Sequence, residues 1–317
     1  MDEKRLLIIA DLEGMIGVTD PSDLGKSIEY GMEEIWFVIR EFNSYGIRRI
    51  TVANIHNDGK CYSPDTFDGQ GVPLLRGMEE LYRNIAEYDA AILIGFHGMY
   101  QSGGMFDHTF RMDITELRYG EEKLGEVGVF TLWLASHRIP AYLVSGEGNF
   151  RNEIKLPECV IHEMKFPIVT DDQYKTEYGE LKKAVKDAAT RMTTGIMASN
   201  YPSSTLRVNV DNPDKYRIMR DFQYISAERD CFVFPSIDVM FNCMYDFTRR
   251  LNLAMENIYY DNKRFFRLYR ELVGNEQYEH LRKEYQNKDL FLISLNDRLR
   301  FLDMVNESTR KKLIAYV

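Results

Sequence analysis

An α/β fold, with a mostly parallel sheet flanked by helices, a smaller α+β C-terminal portion and a helical tail, is the architecture these 317 residues predict. Three observations predict it. The apolar runs Leu6–Ala10, Ile50–Ala53 and Ala91–Phe96 lack polar alternation, which marks strands buried on both faces of a parallel sheet. Segments with helical periodicity separate them, as in a βαβ series. Each run also leads into residues that bind metals: Asp11-Leu12-Glu13, Asn54-Ile55-His56 and His97. Open α/β sheets collect their ligands beyond the carboxyl ends of the strands, so distant segments would deliver these side chains to one edge.

The first helix is expected over about Lys26–Tyr45, with Ile28, Ile35, Val38, Ile39 and Phe42 on its apolar side and Gly46 ending it. A strand over Arg49–Ile55, a polar loop from Asn57 to Gly71 and a helix near Leu74–Tyr88 follow, then a strand over Ala90–Phe96. The glycine-bearing stretch Gly98–Phe106 reads as a loop ending in Asp107-His108, and Gly120-Glu121-Glu122 as a turn. A helix over Val129–His137, a strand over Ala141–Val144 and a charged amphipathic helix over Asp172–Met192, capped by Asp172, complete this part.

Character changes near Tyr201-Pro202. Leu206–Val210 alternates as a half-exposed antiparallel strand does, Cys231–Phe234 is a further strand, and a helix runs from about Ser236 to Met255. Residues 256–317 are charged, aromatic-rich and helical in pattern. The expected division is therefore 1–200 as a metal-binding catalytic domain, 201–255 as the smaller portion and 256–317 as an extension.

Composition sets limits. Forty Lys and Arg against 49 Asp and Glu give a net charge of -9, which argues against a nucleic-acid partner, since phosphates require a basic footprint. No apolar run approaches the roughly 18 residues of a membrane helix, and the charged start Met1–Arg5 precedes too short an apolar stretch for a signal peptide. Cys61, Cys159, Cys231 and Cys243 form no Cys-x-x-Cys pair and read as reduced, mostly buried thiols. A cytoplasmic protein is expected. No Gly-x-Ser-x-Gly elbow or P-loop appears, and Arg310-Lys311-Lys312 reads as a solvated helix face.

The chemistry is expected at the strand ends. Asp11 and Glu13 lie two apart, so an extended backbone points both the same way. His56 and His97 occupy equivalent positions after their strands, and His108 follows a Gly103-Gly104 pair that lets a loop fold back. His137, His162 and His280 are assigned no chemistry. Mixed imidazole and carboxylate donors suit zinc, manganese, cobalt or iron better than magnesium. With Glu126 as a further candidate, the set exceeds what one tetrahedral ion needs, which makes a two-metal site plausible.

Asp11-Leu12-Glu13-Gly14-Met15-Ile16-Gly17 resembles the Asp-x-Glu-Gly-x-x-Gly opening of the zinc-dependent D-aminopeptidase family of the DppA type. His56 after its strand, Gly95-Phe96-His97, His108 at its eleven-residue offset, and Gly125-Glu126-Val127-Gly128 are similar to that family's later landmarks, over about residues 6–255. The resemblance implies two zinc ions per subunit, bridged by Asp11 and completed by Glu13, His56, His97 and Glu126, with His108 as the catalytic histidine. It implies amide or peptide hydrolysis through metal-activated water, on short and D-amino-acid peptides, in a toroidal homo-oligomer, a decamer. Three departures touch the pocket rather than the ligands: Asn54 in place of Asp, Phe130 in place of Asn, and Gly146-Glu147-Gly148 in place of Gly-Asp-Asp. The rival readings are a metal-dependent hydrolase of a non-peptide amide or a phosphoester, and a non-catalytic metal-binding assembly protein. Against the phosphoester stands the lack of clustered Arg or Lys near the motifs. The tail aromatics, Tyr259, Tyr260, Phe265, Phe266, Tyr269 and Tyr278, are expected in core or interface packing.

Overall fold

A computed structural model describes residues 4–20, 23–154, 156, 159–164, 168, 170–195, 204–285 and 289–316. The change of character at Tyr201-Pro202, and with it the boundary between 200 and 201, lies outside the described residues. The chain forms two compact units: Met1–Val208 with Phe234–Met244, and Asn209–Val233 with Tyr245–Val317.

The chain begins with β1 (Arg5–Ala10), α1 (Leu24–Ser44), β2 (Arg49–Asn54), α2 (Pro64–Asp68), β3 (Leu74–Arg76), α3 (Gly77–Asn84) and β4 (Ala90–Phe96). It continues through β5 (Ile114–Tyr119), β6 (Glu122–Lys123), α4 (Glu126–Ser136), β7 (Ala141–Glu147), β8 (Val160–Met164) and α5 (Asp171–Thr194). After β9 (Leu206–Val210), α6 (Asp214–Ile218) and β10 (Phe232–Phe234), the long α7 (Ile237–Val273) leads to α8 (Asn275–Glu284), α9 (Leu295–Asp303) and α10 (Glu307–Leu313).

Six strands form one parallel sheet in the order β3-β2-β1-β4-β7-β8. The α/β class expected from the apolar runs is thus what forms. β1 and β4 are buried along nearly their whole length, as continuous apolar strands must be in such a sheet. On one face, Leu6, Ile8 and Ala10 of β1 share a core with Ile35, Val38, Ile39 and Phe42 of α1 and with Leu181, Val185, Ala188 and Met192 of α5. Against β4 lies α4, apolar and buried on every side, its Phe130 meeting Phe96 edge-on at 5.3 Å. A smaller sheet, β10-β9-β5-β6, carries the β5–β6 hairpin, whose turn falls at the expected Gly120-Glu121.

The order reverses beside β1, which pairs with β2 on one side and β4 on the other. Ala10 is level with both Asn54 and Ile94, so the three chains leave the sheet together. That register, and not any local sequence signal, brings the chemistry-bearing turns to one edge.

Several elements differ from expectation. The segment near Leu74–Tyr88 is the short strand β3 followed by α3, because Gly77 at φ 72° breaks the helical run. The loop from Asn57 to Gly71 contains α2, opened by Pro64. Asp172 is not the cap of α5: Thr170 is, in a capping box with Gln173. The α4 helix starts at Glu126 rather than Val129, and α7 runs well past Met255 to Val273. β8, Val-Ile-His-Glu-Met, is an edge strand whose polar residues hid it.

In the second unit, Phe265, Phe266 and Tyr269 of α7 pack with Leu281, Leu290, Phe301 and Leu313. Asn262 holds the chain opposite, donating from Nδ2 to the carbonyls of Phe291 and Ile293. Core packing accounts for those three aromatics, whereas Tyr260 is exposed. None of the four cysteines, all among the described residues, is in a disulfide, and three are buried. Among the described residues no helix is long and apolar enough to cross a membrane.

Candidate metal centre

Asp11, Glu13, His56, His97, His108 and Glu126 come together at the switch point. Three overlapping groups arise, Asp11/Glu13/His56, Asp11/His97/Glu126 and Glu13/His97/His108, and within each the donor atoms lie within 4.8 Å of one another. Every residue singled out for chemistry in the sequence is therefore in the cluster. His137 and His162, assigned none, pair elsewhere, with Asp238 at 2.9 Å and Glu177 at 3.4 Å.

The turn after β1 explains the first motif. Asp11 N–H bonds back to the Ile94 carbonyl, and Gly14 N–H to that of Gly95. A side chain at Gly14 would overlap the Phe96 carbonyl, so only glycine lets this turn cross the end of β4. Asp11 is then placed between two imidazoles: Oδ1 lies 3.1 Å from His56 Nδ1, and Oδ2 lies 3.5 Å from His97 Nε2. Glu13 Oε2 is 3.3 Å from His56 Nδ1 and 3.6 Å from His97 Nε2. Glu126, in the first turn of α4, places Oε1 3.4 Å from His97 Nε2 and accepts from Phe110 N–H at 2.7 Å.

His97 and His108 stack with ring centres 4.2 Å apart. Each ring is oriented by a backbone carbonyl: His97 Nδ1 donates to Gly98 O at 3.1 Å and His108 Nδ1 to Phe106 O at 2.9 Å. A carbonyl only accepts, so Nδ1 carries the proton and Nε2 faces the carboxylates. His108 Nε2 stands 3.9 Å from Glu13 and 4.0 Å from Glu126.

The electrostatics are those of a cation site. Burial and then the neighbouring Glu13 raise the Asp11 carboxyl above its ordinary range, against the hydrogen bond from His56. Burial opposes charge on Glu13 and Glu126, yet the histidines around them hold both below their usual values. Burial likewise opposes charge on both His97 and His56, but Glu126, Asp11 and Glu13 push His97 up to about 10, and Asp11, Cys61 and Glu13 drive His56 upward. His97 Nε2 is buried and makes no hydrogen bond among the described residues. In the neutral form its lone pair would face three carboxylates, so a proton or a metal ion must stand there. Nitrogen and oxygen donors, with the outer ring nitrogens of His97 and His108 tied to carbonyls, are what zinc or a similar ion takes, and the residues fit it.

The three departures resolve differently. Phe130 is fully buried among Phe96, Phe110, Trp133 and Phe241 and belongs to the core rather than to a substrate pocket. Asn54 is buried, and its amide finds no hydrogen-bond partner among the described residues. Glu147 accepts from Met105 and Phe106 N–H at 3.2 and 3.1 Å. Two further buried carboxylates escaped the sequence reading. Glu34 holds Ile16 N–H at 2.6 Å, beside the Asp-x-Glu turn, and Glu153 accepts from Gly125 and Gly128 N–H at 2.7 and 3.3 Å, at the start of α4. Glu147, marked in the sequence only as a departure from the family's pattern, ends an apolar strand as the three motif segments do; Glu34 lies within a helix and gave no such signal.

A parallel α/β sheet gathering three imidazoles and three carboxylates at its switch point has the build of a metal-dependent enzyme. The chain belongs to the Peptidase M55 family, D-aminopeptidase, whose profile matches residues 4–228. Its enzyme class is that of the metallo-aminopeptidases, as the motif resemblance implied. The fold is that of the "Zn-dependent D-aminopeptidase DppA from Bacillus subtilis, a self-compartmentalizing protease", with a TM-score of 0.65, 15% identity, and coverage of 78% of this chain and 97% of that one. Comparison with curated protein sequences found no match.

Proposed function

We propose that this chain is a dinuclear zinc aminopeptidase that hydrolyses short peptides, including those of D-amino acids. The observation that carries the reading is the position of Asp11, whose two oxygens face different imidazoles, His56 and His97, within two of the overlapping donor groups. Asp11 would bridge the two ions. Glu13, His56, His97 and Glu126 would complete their shells. When bound, zinc supplies Lewis-acid polarisation of the scissile carbonyl and water acidified to near neutral pH.

The remaining work falls to the protein. The Phe106 carbonyl fixes the proton of His108 on Nδ1, so Nε2 is free to take a proton and pass it to the leaving amine. Stacking on His97 keeps the ring from turning away. Likeness to a self-compartmentalizing protease supports a homo-oligomer, for which we propose the decameric ring, and cysteines held outside any disulfide agree with a cytoplasmic setting.

The test is metal analysis followed by assay. Zinc near two ions per subunit, with turnover of D-aminoacyl dipeptides and none of phosphoesters, is expected. Asp11→Asn should lose both ions, whereas His108→Ala should keep them and slow turnover by about 10²–10⁴-fold. Full zinc occupancy in the Asp11 variant would remove the bridging role, and turnover restricted to phosphoesters would remove the peptidase reading.

A further inference from the structure

The stretch from Gly98 to Asp107, which delivers His108, contains no helix or strand. Beyond the backbone turn from Ser102 N–H to the Met99 carbonyl at 3.0 Å, side chains hold its conformation. Asp107 ties one end, accepting from Ser102 Oγ at 2.7 Å and from the N–H groups of Gly103 and Gly104 at 2.6 and 2.8 Å. Asn149 Nδ2 donates to the Ser102 carbonyl at 2.7 Å.

The other tie is Glu147, 1% exposed at the end of β7. Its two oxygens are both spent on this loop, Oε2 on Met105 N–H at 3.2 Å and Oε1 on Phe106 N–H at 3.1 Å. The approach depends on Gly104, where a Cβ would lie 2.6 Å from Asp107 Oδ1 and 2.9 Å from Glu147 Oε1. Phe106 then presents its carbonyl to His108 Nδ1 at 2.9 Å. Among the described residues, Glu147 takes part in none of the donor groups that could hold a metal.

We infer that Glu147 is a positioning residue for His108: its carboxylate fixes the Met105–Phe106 backbone and, through the Phe106 carbonyl, the tautomer and direction of the His108 imidazole. The inference rests on the role proposed above for His108. A strand end is rigid and a loop is not, so this carboxylate transfers the precision of the sheet to an imidazole that no regular element carries. Misplacing a reacting group by about 1 Å costs on the order of 10²-fold in rate.

The experiment is a double-mutant cycle on the zinc-loaded enzyme with a D-aminoacyl dipeptide. Glu147→Ala should lower kcat by about 10²-fold with KM within about twofold and zinc content unchanged. Glu147→Gln keeps one carbonyl acceptor and should fall between it and wild type; if the alanine variant does not fold, the glutamine variant carries the cycle. The double variant with His108→Ala should be no slower than His108→Ala alone, because both changes disable one device. A double variant slowed by the product of the two effects, or zinc lost on changing Glu147, overturns the inference. An inactive His108→Ala beside a fully active Glu147→Ala sinks the inference alone, whereas a fully active His108→Ala sinks the reading of His108 and the inference with it.

Discussion

Metal binding at this cluster should expel protons, and the number and pH range follow from the geometry. In the metal-free protein the carboxylates of Glu126, Asp11 and Glu13 overcome burial and push His97 up to about 10, and Asp11 and Glu13 drive His56 upward as well. Both imidazoles are thus charged at pH 7, and their charge stabilises the metal-free fold. For His97 that contribution is fully present below about pH 6.5 and is lost as pH rises through about 10. An ion needs the neutral ring, so each occupied imidazole surrenders a proton. Freeing His97 at pH 7 costs roughly 4 kcal/mol, three pH units at 1.36 kcal/mol each, which weakens apparent zinc affinity about 10³-fold relative to the deprotonated site. Calorimetric titration of metal-free protein with zinc, in buffers of differing ionisation enthalpy, should show about two protons released per filled cluster at pH 7. Affinity should rise at least about tenfold per pH unit between pH 6.5 and 8.5. Glu126→Gln should lower the release, because His97 loses the carboxylate that contributes most to its charge. Affinity flat across that range, with no proton released, would refute the electrostatic account of the cluster.

Two further outcomes concern groups around the site. Burial raises the Glu34 carboxyl from 4.5 to about 7, so its contribution to stability is fully present below about pH 4.5 and lost as pH rises through 7. Denaturant unfolding should therefore show wild type losing about 3 kcal/mol relative to Glu34→Gln between pH 5 and 8, and a constant offset between the two proteins would contradict it. Phe130→Asn, the residue the family resemblance leads one to expect, would place an amide among four aromatic rings. It should destabilise the fold by about 3–5 kcal/mol, read as a fall in melting temperature, instead of creating a substrate contact.

The fold class and the candidate site were legible in the sequence for one shared reason. A strand buried on both faces leaves no choice of residue except apolar ones, so β1, β2 and β4 announce themselves, and whatever polar residue ends such a run faces the sheet edge. Asp11, His56 and His97 were found in that way. Elements with little burial to enforce a pattern stayed hidden: β3 has three residues, and β8 is an edge strand carrying His162 and Glu163.

What the sequence determined by itself is the list of donors, because metal chemistry restricts them to imidazoles and carboxylates and the strand ends restrict where they stand. Tertiary structure decided how they are shared. Only the register that levels Ala10 with Asn54 and Ile94 sets Asp11 between two imidazoles, and only the folded loop shows that Glu147 spends both oxygens on the backbone before His108. Phe130 is decided there too: about one turn of α4 after Glu126, in a helix buried on every side, it packs against Phe96 in the core. The physical reason is that composition and periodicity record local burial, whereas bridging and positioning depend on distances between segments that the chain brings together only on folding.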